Sequence, residues 1–147
     1  MSQPFTPRAH QRLGTKFLRE HPRCNLFATP GAGKTGMVYS LLTMLRMAGS
    51  SFFPALVIAP KAVCELTWPA EGQKWTEFQD MRVVQILGDE RTRIDGMMSW
   101  GDVYVINYEN IPWLVQQYAG KPWPFRIVIA DESTKLKGYR SAQGTKR

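Results

Sequence analysis

The stretch that decides the reading runs from Cys24 to Ala48, CNLFATPGAGKTGMVYSLLTMLRMA. Cys24 to Ala28 is a short apolar strand, and Pro30-Gly31-Ala32-Gly33 is a turn. From Lys34 onward Met37, Leu41, Leu45 and Ala48 recur at helical period, and Gly49 ends the helix. Strand, glycine turn and helix in that order form the setting of a phosphate-binding loop. Gly31 and Gly33 lack Cβ atoms, so the backbone curls close to an anion. Consecutive N–H groups then face the concavity, and the helix N-terminus adds partial positive charge. Lys34 supplies a cation for the outer phosphates, and the Thr35 hydroxyl is placed to ligate Mg²⁺. The full pattern begins with Gly, and Ala28 stands there instead. A phosphate loop alone fits a kinase, a GTPase or an ATPase.

A second stretch narrows the choice. Ile127 to Glu132 reads IVIADE, four apolar residues followed by two carboxylates. In open α/β sheets ligands bind beyond the carboxyl ends of the strands, where these carboxylates emerge. Asp131 is the candidate to hold Mg²⁺, and Glu132 the candidate to orient and polarise an attacking water.

The remaining chain extends the same architecture. Ala55 to Ala59 (ALVIA), Val83 to Leu87 (VVQIL) and Val103 to Ile106 (VYVI) read as further apolar strands. Helical segments are expected at Arg8 to Glu20, with Thr6 as cap and a Leu13, Phe17, Leu18 stripe, and at Lys61 to Trp75, interrupted near Pro69. Apolar strands separated by helices predict an α/β, doubly wound domain, a parallel sheet with helices on both faces.

Composition agrees. The 147 residues, 44% hydrophobic and 21% charged, suit one globular domain and exclude wholesale disorder. No apolar run approaches the ~20 residues of a membrane span. Two cysteines, Cys24 and Cys64, are too few for a disulfide framework or a zinc site and suit a reducing compartment. The net charge of +7 is concentrated at the ends: five Lys/Arg lie in residues 1–23 and five in residues 133–147. That excess permits a polyanionic partner.

Taken together these stretches resemble superfamily II helicases, in particular the Swi/Snf-like branch of DNA translocases. AHQRLGTKFL (9–18) resembles the glutamine motif, ATPGAGKT motif I, LVIAPKAVCELTWPAEGQKW (56–75) motif Ia, VYVINYENI (103–111) motif Ib and ADESTKLKG (130–138) motif II. The resemblance implies a RecA-like P-loop NTPase fold that uses ATP and Mg²⁺. It assigns the nucleotide to Gln11, Pro30, Gly31, Ala32, Gly33, Lys34, Thr35 and Gly36, with Gln11 on the adenine edge. It assigns the metal to Thr35 and Asp131, catalysis to Lys34 and Glu132, and nucleic-acid backbone contacts to Pro60, Lys61, Asn107 and Tyr108. DNA is the favoured polymer over RNA. Trp68, Trp75 and Trp113 are read as core packing rather than base-stacking platforms.

Two departures qualify the resemblance. Thr134 stands where the family often carries His. The chain also ends at Arg147, before a motif III or a second RecA-like domain. It is therefore expected to be the ATP-binding N-terminal part, residues 1–147, of a cytoplasmic bacterial or viral motor. A C-terminal helicase half or second polypeptide would complete it, and the chain alone would turn over ATP weakly. The alternative is a non-catalytic module that binds nucleotide or DNA and regulates a partner.

Overall fold

The computed structural model describes residues 1–21, 23 and 33–131. The expected strand at 24–28, Pro30, Gly31, Ala32, Glu132 and the basic run after it lie outside the described residues. Four strands, β1 (Ala55–Ala59), β2 (Val83–Ile86), β3 (Val103–Asn107) and β4 (Ile127–Ala130), form one parallel sheet in the order β2-β3-β1-β4. The helices are α1 (Ala9–Glu20), α2 (Lys34–Ala48), α3 (Trp68–Lys74), α4 (Glu90–Met98) and α5 (Ile111–Gln117).

The sheet is parallel because each strand is almost wholly apolar and must be covered on both sides. Alternate residues separate accordingly. Ala55, Val57, Ala59, Val103 and Val105 face one layer, with Tyr39 and Leu42 of α2, Cys64, and Trp68 of α3. Leu56, Tyr104, Ile106 and Ile86 face the other, with Leu114 of α5 and Phe125. The doubly wound expectation is met.

The first layer is built around aromatic rings. Tyr39 stacks on Phe78 with centroids 4.9 Å apart and lies 4.7 Å from Trp68. Phe5 adds contacts at 4.9 Å to Phe78 and 5.1 Å to Trp75. Such pairs contribute about 0.5–1.5 kcal/mol each beyond area burial. The Tyr39 hydroxyl donates to the Trp68 carbonyl at 2.6 Å. Burial, with the Glu71 charge adding to it, pushes the Tyr39 pKa well up.

α2 and β1 match their expected limits. The strand expected to reach Leu87 ends at Ile86. The helix after β1 is broken as expected, into a π-helical segment (Val63–Thr67) and α3. The wider turn is braced by Gln85, whose Nε2 donates to the Cys64 carbonyl at 3.1 Å. Helix α1 corrects the sequence reading. It begins at Ala9 behind an Arg8 cap, not at Arg8 behind Thr6. Leu13 is 68% exposed and Phe17 lies at the surface, whereas Gly14 and Thr15 are buried. Small residues let α1 approach α2 closely: the Thr15 hydroxyl reaches the Met37 carbonyl at 3.4 Å, and a Cβ on Gly14 would meet the Met37 thioether.

Of the tryptophans, Trp68 is core. Trp75 and Trp113 are half-buried at the margins of the two layers, and Trp113 sits under the Arg93 guanidinium, 4.6 Å from its ring centroid. Among the described residues no helix is long and apolar enough to cross a membrane.

Candidate nucleotide site and nucleic-acid edge

α2 opens at Gly33, whose φ of 78° is left-handed and favours glycine. Lys34 and Thr35 follow as the first helical residues, half-buried. Gly33 has a second reason to be glycine, because a Cβ there would collide with the Gln11 amide nitrogen. The same nitrogen is 3.9 Å from where a Cβ on Gly36 would stand, and the Phe5 ring is 3.2 Å from that point. Gln11 and the start of α2 are therefore packed against each other.

Gln11 also closes its own helix. Its Oε1 accepts from the Arg8 N–H at 2.8 Å, the reciprocal half of a capping box. A backbone N–H is a donor only, so this bond fixes which end of the carboxamide is oxygen and turns the NH₂ toward Gly33.

Beside these residues lies a cavity of about 230 Å³, lined by Phe5, Arg8, Gln11 and the two glycines, and by Glu71, Lys74 and Trp75 of the α3 segment. The N-terminal segment is strapped across it. Gln3 exchanges backbone hydrogen bonds with Lys74 (3.0 Å) and Thr76 (2.9 Å), and the Phe5 N–H donates to the Glu77 carboxylate at 2.7 Å. The Trp75 indole donates to Glu71 Oε2 at 2.6 Å, and the Lys74 ammonium lies 4.5 Å above the Trp75 ring. The sequence reading missed Phe5, Arg8, Glu71, Lys74 and Trp75 as site residues. The spacing of Glu71, Lys74 and Trp75, three and four apart, was the available signal, because it sets them on one helical face.

The other candidates gather elsewhere. Parallel strands end on one side of a sheet, and the register aligns Ala59 with Asn107 and Ile58 with Ala130. Pro60 and Lys61, Asn107 and Tyr108, and Asp131 thus follow three adjacent strands at one edge. Asp131 is held through its backbone: its N–H donates to the Ile58 carbonyl at 2.7 Å, and its carbonyl accepts from the Tyr108 hydroxyl. Tyr108 is buried, and so is Asn107, which donates to Glu109 at 2.9 Å and accepts from Asn110 at 2.6 Å. Lys61 is exposed and lies 3.7 Å from Glu65. The structure therefore offers Lys61 at the surface and gives Asn107 and Tyr108 bonds within the edge.

Beneath the edge Cys64 is buried, its thiol 3.6 Å from the Ala59 carbonyl. Burial pushes its pKa up to about 12, and the nearby Asp131 and Glu65 charges act in the same direction. The site's chemistry suits a nucleotide and a hard cation. A Cβ on the left-handed Gly33 would fill the space beside the Gln11 amide, and the candidate metal donors, the Thr35 hydroxyl and the Asp131 carboxylate, are oxygens of the kind Mg²⁺ takes.

Comparison with known proteins decides the family. The SNF2-related domain profile matches residues 10–146. The chain belongs to the SNF2-related domain family. Protein p41 of Acyrthosiphon pisum secondary endosymbiont phage 1 is 40% identical over 97% of this chain and 31% of its own length. Helicase SWR1 of Mycosarcoma maydis is 26% identical over 96% of this chain and 8% of its own. The Sulfolobus solfataricus SWI2/SNF2 ATPase core, solved in complex with dsDNA, superimposes with a TM-score of 0.73 at 20% identity, over 92% of this chain and 28% of that one. The SNF2-related domain thus has the RecA-like α/β fold of a helicase-like ATPase core, as the motifs implied. It spans less than a third of the length of these relatives.

Proposed function

We propose that this SNF2-related domain is the ATP-binding part of a motor that couples hydrolysis to movement along DNA, in the cytoplasm of a bacterial or phage-infected cell. The observation that carries the reading is the junction at Gly33, where a left-handed glycine, the Lys34-Thr35 helix start and the Gln11 carboxamide meet beside a cavity large enough for a base. In this reading Pro30 to Gly36 wrap the phosphates with backbone N–H groups and Lys34 neutralises the outer ones. Thr35 and Asp131 would hold magnesium, which would supply charge neutralisation at the phosphate oxygens. Glu132 orients the attacking water and accepts its proton. Lys61, beside Pro60, contacts the DNA backbone, and Asn107 and Tyr108 shape the edge from within. The Tyr108–Asp131 bond ties that edge to the acidic end of β4.

A further segment of protein completes the site in this proposal, because an arginine finger contributes roughly 10³–10⁵ in rate. The test is DNA-stimulated ATPase activity with three variants. Lys34→Ala should abolish nucleotide binding. Glu132→Gln should bind ATP and fail to hydrolyse it. Lys61→Ala should weaken DNA binding and lower its salt dependence. Nucleotide binding without DNA-stimulated hydrolysis, even when the C-terminal segment is supplied, would favour the regulatory binding module instead.

A further inference from the structure

We infer that Gln85 is a positioning residue for the DNA contact at Lys61: it holds open the π-helical turn Val63–Thr67, and that turn sets where on the sheet edge Lys61 stands. This rests on the DNA reading above and adds to it a residue of β2 that lies in none of the motifs.

Two backbone carbonyls lack their helical donors because of Pro69. Residues 61–74 form one helical run, α at its start, π over Val63–Thr67 and α again in α3. In the π register the Trp68 N–H donates five residues back, to the Val63 carbonyl. It is therefore not given to the Cys64 carbonyl, its partner in an α-helix. The next donor in line would be the N–H of residue 69, and proline has none. The same missing N–H is the α-helical donor to the Glu65 carbonyl. Cys64 is 0% exposed, so bulk water does not reach its carbonyl. The Gln85 carboxamide does: Nε2 donates to the Cys64 carbonyl at 3.1 Å and reaches the Glu65 carbonyl at 3.5 Å. A strand side chain thus supplies from outside the N–H that Pro69 lacks.

What lies on either side of the turn gives it a part in function. α3 is anchored: the Tyr39 hydroxyl donates to the Trp68 carbonyl at 2.6 Å, and Gln3 pairs beside Trp75. Lys61 lies before the turn, exposed, its ammonium 3.7 Å from the Glu65 carboxylate. A π turn holds an extra residue within the helix. Without the donor from Gln85, the Trp68 N–H would pass to the Cys64 carbonyl and the run would close into α-helix. Each residue of an α-helix turns about 100°, so a one-residue change of register would swing Lys61 through about that angle around the axis of α3. That takes it away from the edge it shares with Asn107 and Tyr108. Gln85 acts on the contact through the backbone and does not itself touch DNA.

The experiment measures binding of mixed-sequence duplex DNA to the full chain over a range of salt concentrations, with thermal melting as the folding check. It compares the wild type, Lys61→Ala, Gln85→Met and the two substitutions combined. Methionine matches glutamine in length and has no donor. Gln85→Asn, which draws the amide back by one methylene, takes its place should that variant not fold. Lys61→Ala should weaken binding about five- to tenfold at about 0.1 M salt and lower the slope of log K against log salt by about one. Gln85→Met should match it within about twofold, and the combined variant should bind no more weakly than Lys61→Ala, because both remove one contact. A brace that served stability alone would lower the melting temperature and leave the salt slope at its wild-type value. If a folded Gln85 variant keeps the wild-type slope, or if the losses at 61 and 85 multiply, the assignment to Gln85 is overturned and the DNA reading stands. If the wild type binds no DNA, or Lys61→Ala changes nothing, the reading of the edge fails and this inference falls with it.

Discussion

The two faces of the sheet are covered in different ways. On one, α2, α3 and the N-terminal strap bring Tyr39, Trp68 and Phe78 over a continuous row of buried strand residues. On the other, Leu114 and Phe125 provide the main cover, α4 contributes no buried residue, and Val128 on β4 is 51% exposed. The densely packed face carries the elements that build the candidate nucleotide site. A precisely placed site requires neighbours that cannot shift, and rings interlocked over a fully buried row of strand residues meet that need better than the second face, where Tyr104, Tyr118, Trp123 and Phe125 also pack ring against ring but leave the β4 margin exposed.

Denaturant unfolding of single variants measures this asymmetry. Trp68→Ala, removing the largest ring of the dense face, should cost about 3–5 kcal/mol. Leu114→Ala, on the thinner face, should cost about 2–3 kcal/mol; a loss as large as that at Trp68 would erase the distinction. Gly96→Ala tests how α4 rests on the sheet. A Cβ there would collide with the Gln85 carbonyl, and α4 should be displaced at a cost of about 1–2 kcal/mol. Val128→Thr should change stability by less than about 0.5 kcal/mol, as for a surface position.

The dense face should also respond to alkali. Cys64 and Tyr39 both have folded-state pKa values raised by burial, the thiol to about 12. A raised acid pKa contributes stability that is fully present below the unfolded value, 9.0 for the thiol, and is lost as pH rises toward the folded one. Melting temperature should therefore fall between pH 9 and 12, less steeply in Cys64→Ala, and iodoacetamide should label Cys64 only as the protein unfolds. On the opposite face the sign reverses. Asp89 caps α4 by accepting from the Thr92 N–H at 2.8 Å, and that bond lowers its pKa. Its contribution disappears as pH falls through the carboxylate range, and Asp89→Asn should flatten that acid limb.

What the sequence made legible follows from how strongly each element is punctuated. α2 is bracketed by Gly33 and Gly49, and β1 is five apolar residues closed by Pro60, so both were found at their true limits. α4 and α5 went unpredicted. ERTRIDGMM has no apolar stripe because none of its residues is buried, and IPWLVQQ is only seven residues long. The α1 face was misread because Leu13 and Phe17 look like a core stripe, whereas close approach through Gly14 and Thr15 decided the packing. At the site, Gln11 and the α2 start were visible as motifs. The bond that occupies the Gln11 carbonyl, and the far wall supplied from α3, depend on tertiary contacts that no local pattern records.

The strap has a consequence for biosynthesis. Phe5 finds its carboxylate seventy-two positions later, at Glu77, and Gln3 pairs beside Trp75. A ribosome releases the amino end first, so that end must wait, unanchored, until α3 and the turn beyond it have emerged. Residues 3 to 5 thus settle no earlier than α3, yet ahead of β2, β3 and β4, which emerge only after it.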